Sequence, residues 1–306
     1  MKRSRHRPFD CMEMNRLLTA LSLLASLSVY PLPARSADTG DEQYWAAAIA
    51  LSPDAQAIRW LQKGDGKFLA LYEKNIGAKR QGGAVILHDS GGHPDWPALV
   101  RPLRTHLPHY GWSTLSIQLP AIKLPVPAAE YARLLDESTK RLAAAVAFLQ
   151  AQKINRIIVI GYGSGATLAT AVLAGKQKLA VTALITVSPT ILNNKDNHLD
   201  TAVNIGRIDL AVLDIYAARD LDSVGLSAAK RHAAGLQRQQ TAQQPNKSIA
   251  PKTSAHSTNI SFHRPPYRQL LIAGADHSYH GFDAVIVKRI SSWLKHLNSL
   301  PVIAKN

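Results

Sequence analysis

Three groups of residues could do chemistry together. Gly161-Tyr162-Gly163-Ser164-Gly165-Ala166 is a tight, glycine-rich turn. It joins a strand-like apolar run, Arg156–Ile160, to a helical one, Thr167–Ala174. Asp220 follows the run Ala211–Ala217, and His277 follows Arg268–Ala273. Nucleophile, acid and histidine in that chain order are the parts of an acyl-transfer triad: the histidine takes the nucleophile's proton while the acid orients the imidazole. The turn fits the frame G-x-S-x-G when aligned on Gly161 and Gly165, which puts small residues where strand and helix backbones crowd. The nucleophile's seat then holds Gly163, which has no oxygen. Ser164 stands one place late, and as a nucleophile it would force Tyr162 into the crowded position. In the aligned frame Ser164 gives its backbone N–H to an oxyanion hole. His88-Asp89-Ser90-Gly91-Gly92 follows another apolar run and resembles a loop that supplies the second donor. Ser90 and Gly91 are therefore candidate oxyanion or pocket residues, and Ser90 is also an alternative nucleophile.

The turn also matches G-x-G-x-x-A, a dinucleotide-binding pattern. That pattern needs an acid at the end of the next strand, and Val187-Ser188-Pro189 offers none. No cofactor is expected. No metal site is expected either: His277 and His280 lie three apart in a loop, and the chain has one Cys. His93-Pro94-Asp95-Trp96-Pro97 has two readings. His93 and Asp95 line the cleft, or the prolines stiffen the loop, Asp95 caps a helix and Trp96 anchors it. The second is favoured.

Positioning these residues requires strands alternating with helices. Ala57–Leu61 and Lys67–Tyr72 flank a Gly-Asp-Gly turn and read as a hairpin. Gly83–His88, Thr114–Gln118, Arg156–Ile160, Ala183–Val187, Ala211–Ala217 and Arg268–Ala273 read as strands. Helices are expected around Ala98–Tyr110, Ala128–Gln152, Thr167–Ala174, Ser223–Gln237 and Phe282–Leu297. Such alternation predicts an α/β fold: a mostly parallel sheet with helices on both faces and an antiparallel edge hairpin at its start. Gln237–His263 is polar and poor in large apolar residues, so it reads as a disordered surface insertion.

The first 36 residues read as an address. Basic residues from Lys2 to Arg16 precede an uncharged run, Leu17–Val29, and Ala34-Arg35-Ser36 offers a cleavage site. The run is too short to span a bilayer. Cleavage after Ser36 predicts an exported, periplasmic protein of residues 37–306 in a single domain, with no transmembrane span. Met1, Met12 and Met14 are all plausible starts. Removing six basic and two acidic residues takes the net charge from +15 to +11. Cys11 would be lost with the signal, which suits an oxidising compartment. The basic residues are scattered without interleaved aromatics, so no nucleic-acid partner is expected. The partner class is a small molecule or an envelope ligand.

The strings His93-Pro94-Asp95-Trp96-Pro97, Gly111-Trp112-Ser113-Thr114-Leu115-Ser116, Tyr267-Arg268-Gln269 and Gly274-Ala275-Asp276-His277 resemble an uncharacterised family of exported bacterial α/β-hydrolase-like proteins. The resemblance implies that fold and export, and no established activity. Within it only Asp220 and His277 match hydrolase functional seats. The expectation is thus an exported α/β-hydrolase-fold protein without ordinary serine-hydrolase activity, in a ligand-binding or envelope accessory role. The alternative is a carboxylic-ester hydrolase using Ser164 or Ser90 with His277 and Asp220. Gly163→Ser is expected to install activity if the oxyanion hole and the Asp220–His277 pair stand ready.

Overall fold

The computed structural model describes residues 37–64, 66–121, 126–127, 130–192, 197–241 and 265–299. The chain divides into two units, Met1–Ala37 and Asp38–Asn306, and the second carries the whole sheet. The signal-like segment 1–36 lies outside the described residues.

Eight strands form one sheet: β1 (Ile58–Lys63), β2 (Gly66–Glu73), β3 (Gly82–Leu87), β4 (Trp112–Ile117), β5 (Ile157–Tyr162), β6 (Ala183–Val187), β7 (Ala211–Arg219) and β8 (Tyr267–Asp276). Their order is β1-β2-β4-β3-β5-β6-β7-β8. β1 pairs with β2, and β2 with β4, in antiparallel fashion; every other pair is parallel. The expected edge hairpin is present. β3, β4, β5 and β6 are buried along their whole length, as the unbroken apolar runs predict for strands covered on both faces.

Among the described residues seven α-helices flank the sheet: α1 (Ala37–Ala50), α2 (Val100–His106), α3 (Tyr131–Ala151), α4 (Ser164–Ala174), α5 (Thr201–Arg207), α6 (Asp222–Thr241) and α7 (Asp283–Ser299). Side chains of α3, α4 and α5 build the core on one face of the sheet; those of α2 and α7 build it on the other. Helix α1 was not expected. It packs Ile49 against Leu69 and Leu71, and its Glu42 forms a buried ion pair with Arg141 of α3 at 2.7 Å. Glu42 also accepts the Leu69 amide of β2, so the helix closes the antiparallel edge by charge as well as packing.

Two expectations need correction. The polar stretch does not begin at Gln237: α6 continues to Thr241, because Arg238 is buried and donates to the carbonyls of Ile208, Leu210 and Pro265. The rest of it, 242–263, lies outside the described residues. Asp95 does not cap a helix, for α2 begins without a side-chain cap. Its carboxylate instead pairs with the fully buried Arg104 at 2.6 Å, which also meets Asp54 and Glu73. Among the described residues no helix is long and apolar enough to cross a membrane.

Candidate functional site

Strand β5 ends at Tyr162 and α4 begins at Ser164, so the whole reversal falls on Gly163. Its φ of 57° and ψ of −124° give the strained strand-to-helix corner of a nucleophile elbow. The flanking glycines are required by crowding. A Cβ at Gly161 would sit 2.5 Å from the Ala166 Cα, and one at Gly165 would sit 2.4 Å from the His88 carbonyl oxygen. The corner is thus built as the sequence frame predicts.

The seat above Gly163 is filled from another strand. β3 runs parallel beside β5 with Leu87 opposite Gly161, so the chain leaving β3 passes over the elbow. A Cβ built on Gly163 would fall 2.0 Å from Asp89 Cγ. The Asp89 carboxylate stands where a serine side chain would stand. Its Oδ1 accepts the backbone N–H groups of Ser164 and Ser90, both at 2.7 Å. These are the amides the sequence frame assigned to an oxyanion hole. Its Oδ2 lies 3.2 Å from Nε2 of His277.

His277 and Asp220 come together at the carboxyl ends of β8 and β7, with Nδ1 and Oδ1 2.7 Å apart. Asp220 is fixed from all sides. It accepts the Ala217 and Leu221 amides and the hydroxyl of Ser188, which also meets the Tyr279 hydroxyl at 2.7 Å. Ser188 takes a left-handed φ of 47° to place that hydroxyl. Tyr162 donates its hydroxyl to the His277 carbonyl at 2.9 Å, holding the loop that carries the imidazole. The result is a continuous chain, Asp89–His277–Asp220.

The electrostatics follow from this sandwich. Burial works against the charge on His277, but the carboxylates of Asp220 and Asp89 outweigh it and push the imidazole up to about 9. Burial likewise opposes ionisation of Asp89; hydrogen bonds from His277, Ser164 and Ser90 prevail and hold its carboxyl below the ordinary range. Asp220 is depressed in the same way, by His277 and Ser188 against its burial. At neutral pH the group is an imidazolium between two carboxylates.

Asp89 is itself positioned by His88. The His88 Nε2 accepts the Leu119 amide at 2.9 Å, so its proton sits on Nδ1, which donates to the Asp89 carbonyl at 2.7 Å. Burial keeps this ring neutral, with a pKa lowered to about 4.

The other sequence candidates fall elsewhere. The Ser164 hydroxyl is buried beside the Asp89 carboxylate without a hydrogen bond of good geometry. Both nitrogens of His277 are engaged by carboxylates, so neither Ser164 nor Ser90 is held as a nucleophile. Ser90 contributes its amide. Gly91 takes a φ of 73° beyond it, which lets the loop turn away. His93 stacks on Trp45 of α1 with ring centroids 4.0 Å apart and meets Trp96 edge-on, contacts that anchor the loop. Asp89 went unrecognised, although it was in view in His88-Asp89-Ser90. Its role depends on β3 lying beside β5, which no local pattern states. The one available signal was a complete set of helpers with no nucleophile to help.

Among the described residues no group of three or more His, Cys, Asp or Glu is placed to hold a metal ion. A groove of about 480 Å³ between α5 and α6, lined by Ala202, Val203 and Lys230 among others, shares no residue with the site.

A family model described as "Protein of unknown function (DUF3530)" matches residues 29–140 and 130–259. No curated protein matches the sequence. Several solved structures share the fold at low identity. Est1E from Butyrivibrio proteoclasticus is 12% identical, with 80% of this chain and 100% of that one covered and a TM-score of 0.55. An α/β serine hydrolase homologue from Coxiella burnetii is 17% identical, with 78% and 96% covered and a TM-score of 0.54. A Pyrococcus furiosus esterase is 14% identical, with 80% and 93% covered and a TM-score of 0.56. These likenesses establish an α/β-hydrolase fold.

Proposed function

The chain belongs to the DUF3530 family, and we propose that it is an exported α/β-hydrolase-fold protein that does not carry out serine-type ester hydrolysis and serves a ligand-binding or accessory role in the cell envelope. One observation carries this reading: the Asp89 carboxylate takes the nucleophile's place, the two oxyanion amides and the free nitrogen of His277 together. An acyl substrate would find its oxyanion donors already bound to a negative charge. It would also meet an imidazolium, which has no lone pair with which to take a serine's proton. The competing reading, an ester hydrolase using Ser164 or Ser90, needs a hydroxyl on Nε2 of His277, where Asp89 sits. Export rests on the basic, apolar and small-residue layout of 1–36, and the basic charge suits anionic envelope lipids or polymers.

A fluorophosphonate probe tests the chemistry. Purified protein is expected to remain unlabelled. Stoichiometric labelling that disappears in Ser164→Ala or Ser90→Ala would overturn the reading. Fractionation of cells expressing the full chain tests export: a shortened protein in the periplasm is expected, and an unshortened one in the cytoplasm would contradict it.

A further inference from the structure

Loss of a serine does not make the site inert. The two oxygens of Asp89 are held differently. Oδ1 lies between two backbone amides, while Oδ2 lies 3.2 Å from His277 Nε2. A carboxylate oxygen keeps a lone pair beyond one such contact. The side chains of Asp89 and His277 are each 21% exposed, so the pair opens to solvent, whereas Asp220 behind it is closed off at 1%. An ester formed through Oδ2 would leave Oδ1 as its carbonyl oxygen, already seated between donors suited to an oxyanion.

We propose that Asp89 is a nucleophile toward carbon electrophiles carrying a good leaving group, the class represented by primary alkyl halides, and that His277 hydrolyses the ester so formed. This rests on the reading that Asp89 has replaced the serine. In the first step a lone pair of Oδ2 attacks the saturated carbon. The new C–O bond forms as the carbon–halogen bond breaks, and the halide leaves with the bonding pair. Esterification cancels the charge of Asp89. His277 then loses one of the two carboxylates that hold its proton and releases that proton to solvent. Nε2, now with a lone pair, takes a proton from water as the water oxygen attacks Cγ. Negative charge develops on Oδ1 between the Ser90 and Ser164 amides. Collapse breaks the Cγ–Oδ2 bond, and His277 returns the proton to the departing alcohol. The sum is halide plus water to alcohol plus hydrogen halide, with no oxidant or reductant. Asp220 is a positioning residue throughout: it fixes Nδ1 and so keeps Nε2 toward Cγ.

This order leaves an isotopic signature. The alcohol carries away Oδ2, and the water oxygen remains in Asp89. The test uses protein purified after expression of the full chain, with 4-nitrobenzyl bromide as the probe. A single turnover of the unsubstituted protein in ¹⁸O-water is expected to place the label in the Asp89 carboxylate, within the tryptic peptide Gln81–Arg104. His277→Gln is expected to release a single equivalent of bromide and to hold a 4-nitrobenzyl ester on Asp89; Asp89→Asn is expected to release none above buffer. Absence of bromide release by the folded unsubstituted protein, an adduct on another residue, or label appearing only in the alcohol would overturn the proposal. The isotope arm needs no substitution, so a variant that fails to fold does not blunt it. Failure here with no fluorophosphonate labelling would leave the loss of serine chemistry standing; fluorophosphonate labelling would sink both.

Discussion

Gly163→Ser is the substitution that would place a hydroxyl where serine hydrolases carry theirs, and the expectation from sequence was that it installs activity. The structure reverses that expectation. The new Cβ would lie 2.0 Å from Asp89 Cγ and 2.2 and 2.3 Å from its two oxygens. The carboxylate must leave, giving up charge-assisted bonds to the Ser164 and Ser90 amides and to His277. Net loss of such bonding costs about 1.5–3 kcal/mol. A side chain at φ 57°, ψ −124° adds backbone strain of about 1–3 kcal/mol. Together they give a destabilisation of about 2.5–6 kcal/mol. Removing the obstruction changes the sum. In Asp89→Ala combined with Gly163→Ser the collision is gone and only the strain remains. The two substitutions should therefore be non-additive by about 1.5–3 kcal/mol. Urea unfolding of the wild type, both single variants and the double variant measures this, and a fluorophosphonate probe reads the chemistry. The expected result is a destabilised, unlabelled Gly163→Ser protein and a labelled double variant. A Gly163→Ser protein as stable as the wild type and reactive on its own would refute the placement of Asp89.

Further outcomes follow from other parts of the structure. Arg104 is fully buried against three partly exposed carboxylates, Asp54, Glu73 and Asp95; Arg104→Met should cost about 3 kcal/mol in urea unfolding, and a change under about 1 kcal/mol would contradict the anchoring role of the His93–Pro97 loop. Stability should also depend on pH in a defined sense. His277 is raised above its unfolded value, so its contribution is complete below about pH 6.5 and is lost as the pH climbs through about 9. Asp89 and Asp220 are depressed, so theirs is present above about pH 4 and is lost as the pH falls through their native values. Urea midpoints across that range should be highest between the two limits, and a steady rise beyond pH 9 would contradict it.

Much of the fold was legible because burial on both sheet faces leaves a plain mark. Ala183–Val187 is a strand to the residue, and Ala211–Ala217 differs only by an extension to Arg219. Periodicity found α3 and α7, whose apolar stripes meet the sheet. Helix α1 was missed because its alanine-rich face carries little amphipathic signal; Glu42, which ties it to Arg141 and Leu69, reads as an ordinary surface acid until its partners are known. In the site, Gly163, Asp220 and His277 follow from chain order and local turn chemistry. Asp89 does not. It reaches the elbow from the end of β3, 75 residues before the Ser164 whose amide it accepts, through the β3–β5 register. Ser188, which braces Asp220 from the end of β6, was hidden for the same reason.

Titration of the His277 imidazole by NMR, in the wild type and in Asp89→Asn, tests the occupied seat most directly. With a carboxylate on each nitrogen the wild-type ring should titrate near pH 9. Exchanging Asp89 for a neutral amide should lower that midpoint by about one to two units, leaving Asp220 alone to hold the proton. A wild-type midpoint near the ordinary value of about 6.5, or one that Asp89→Asn leaves unmoved, would place the Asp89 carboxylate away from His277 and return the nucleophile's seat to a hydroxyl.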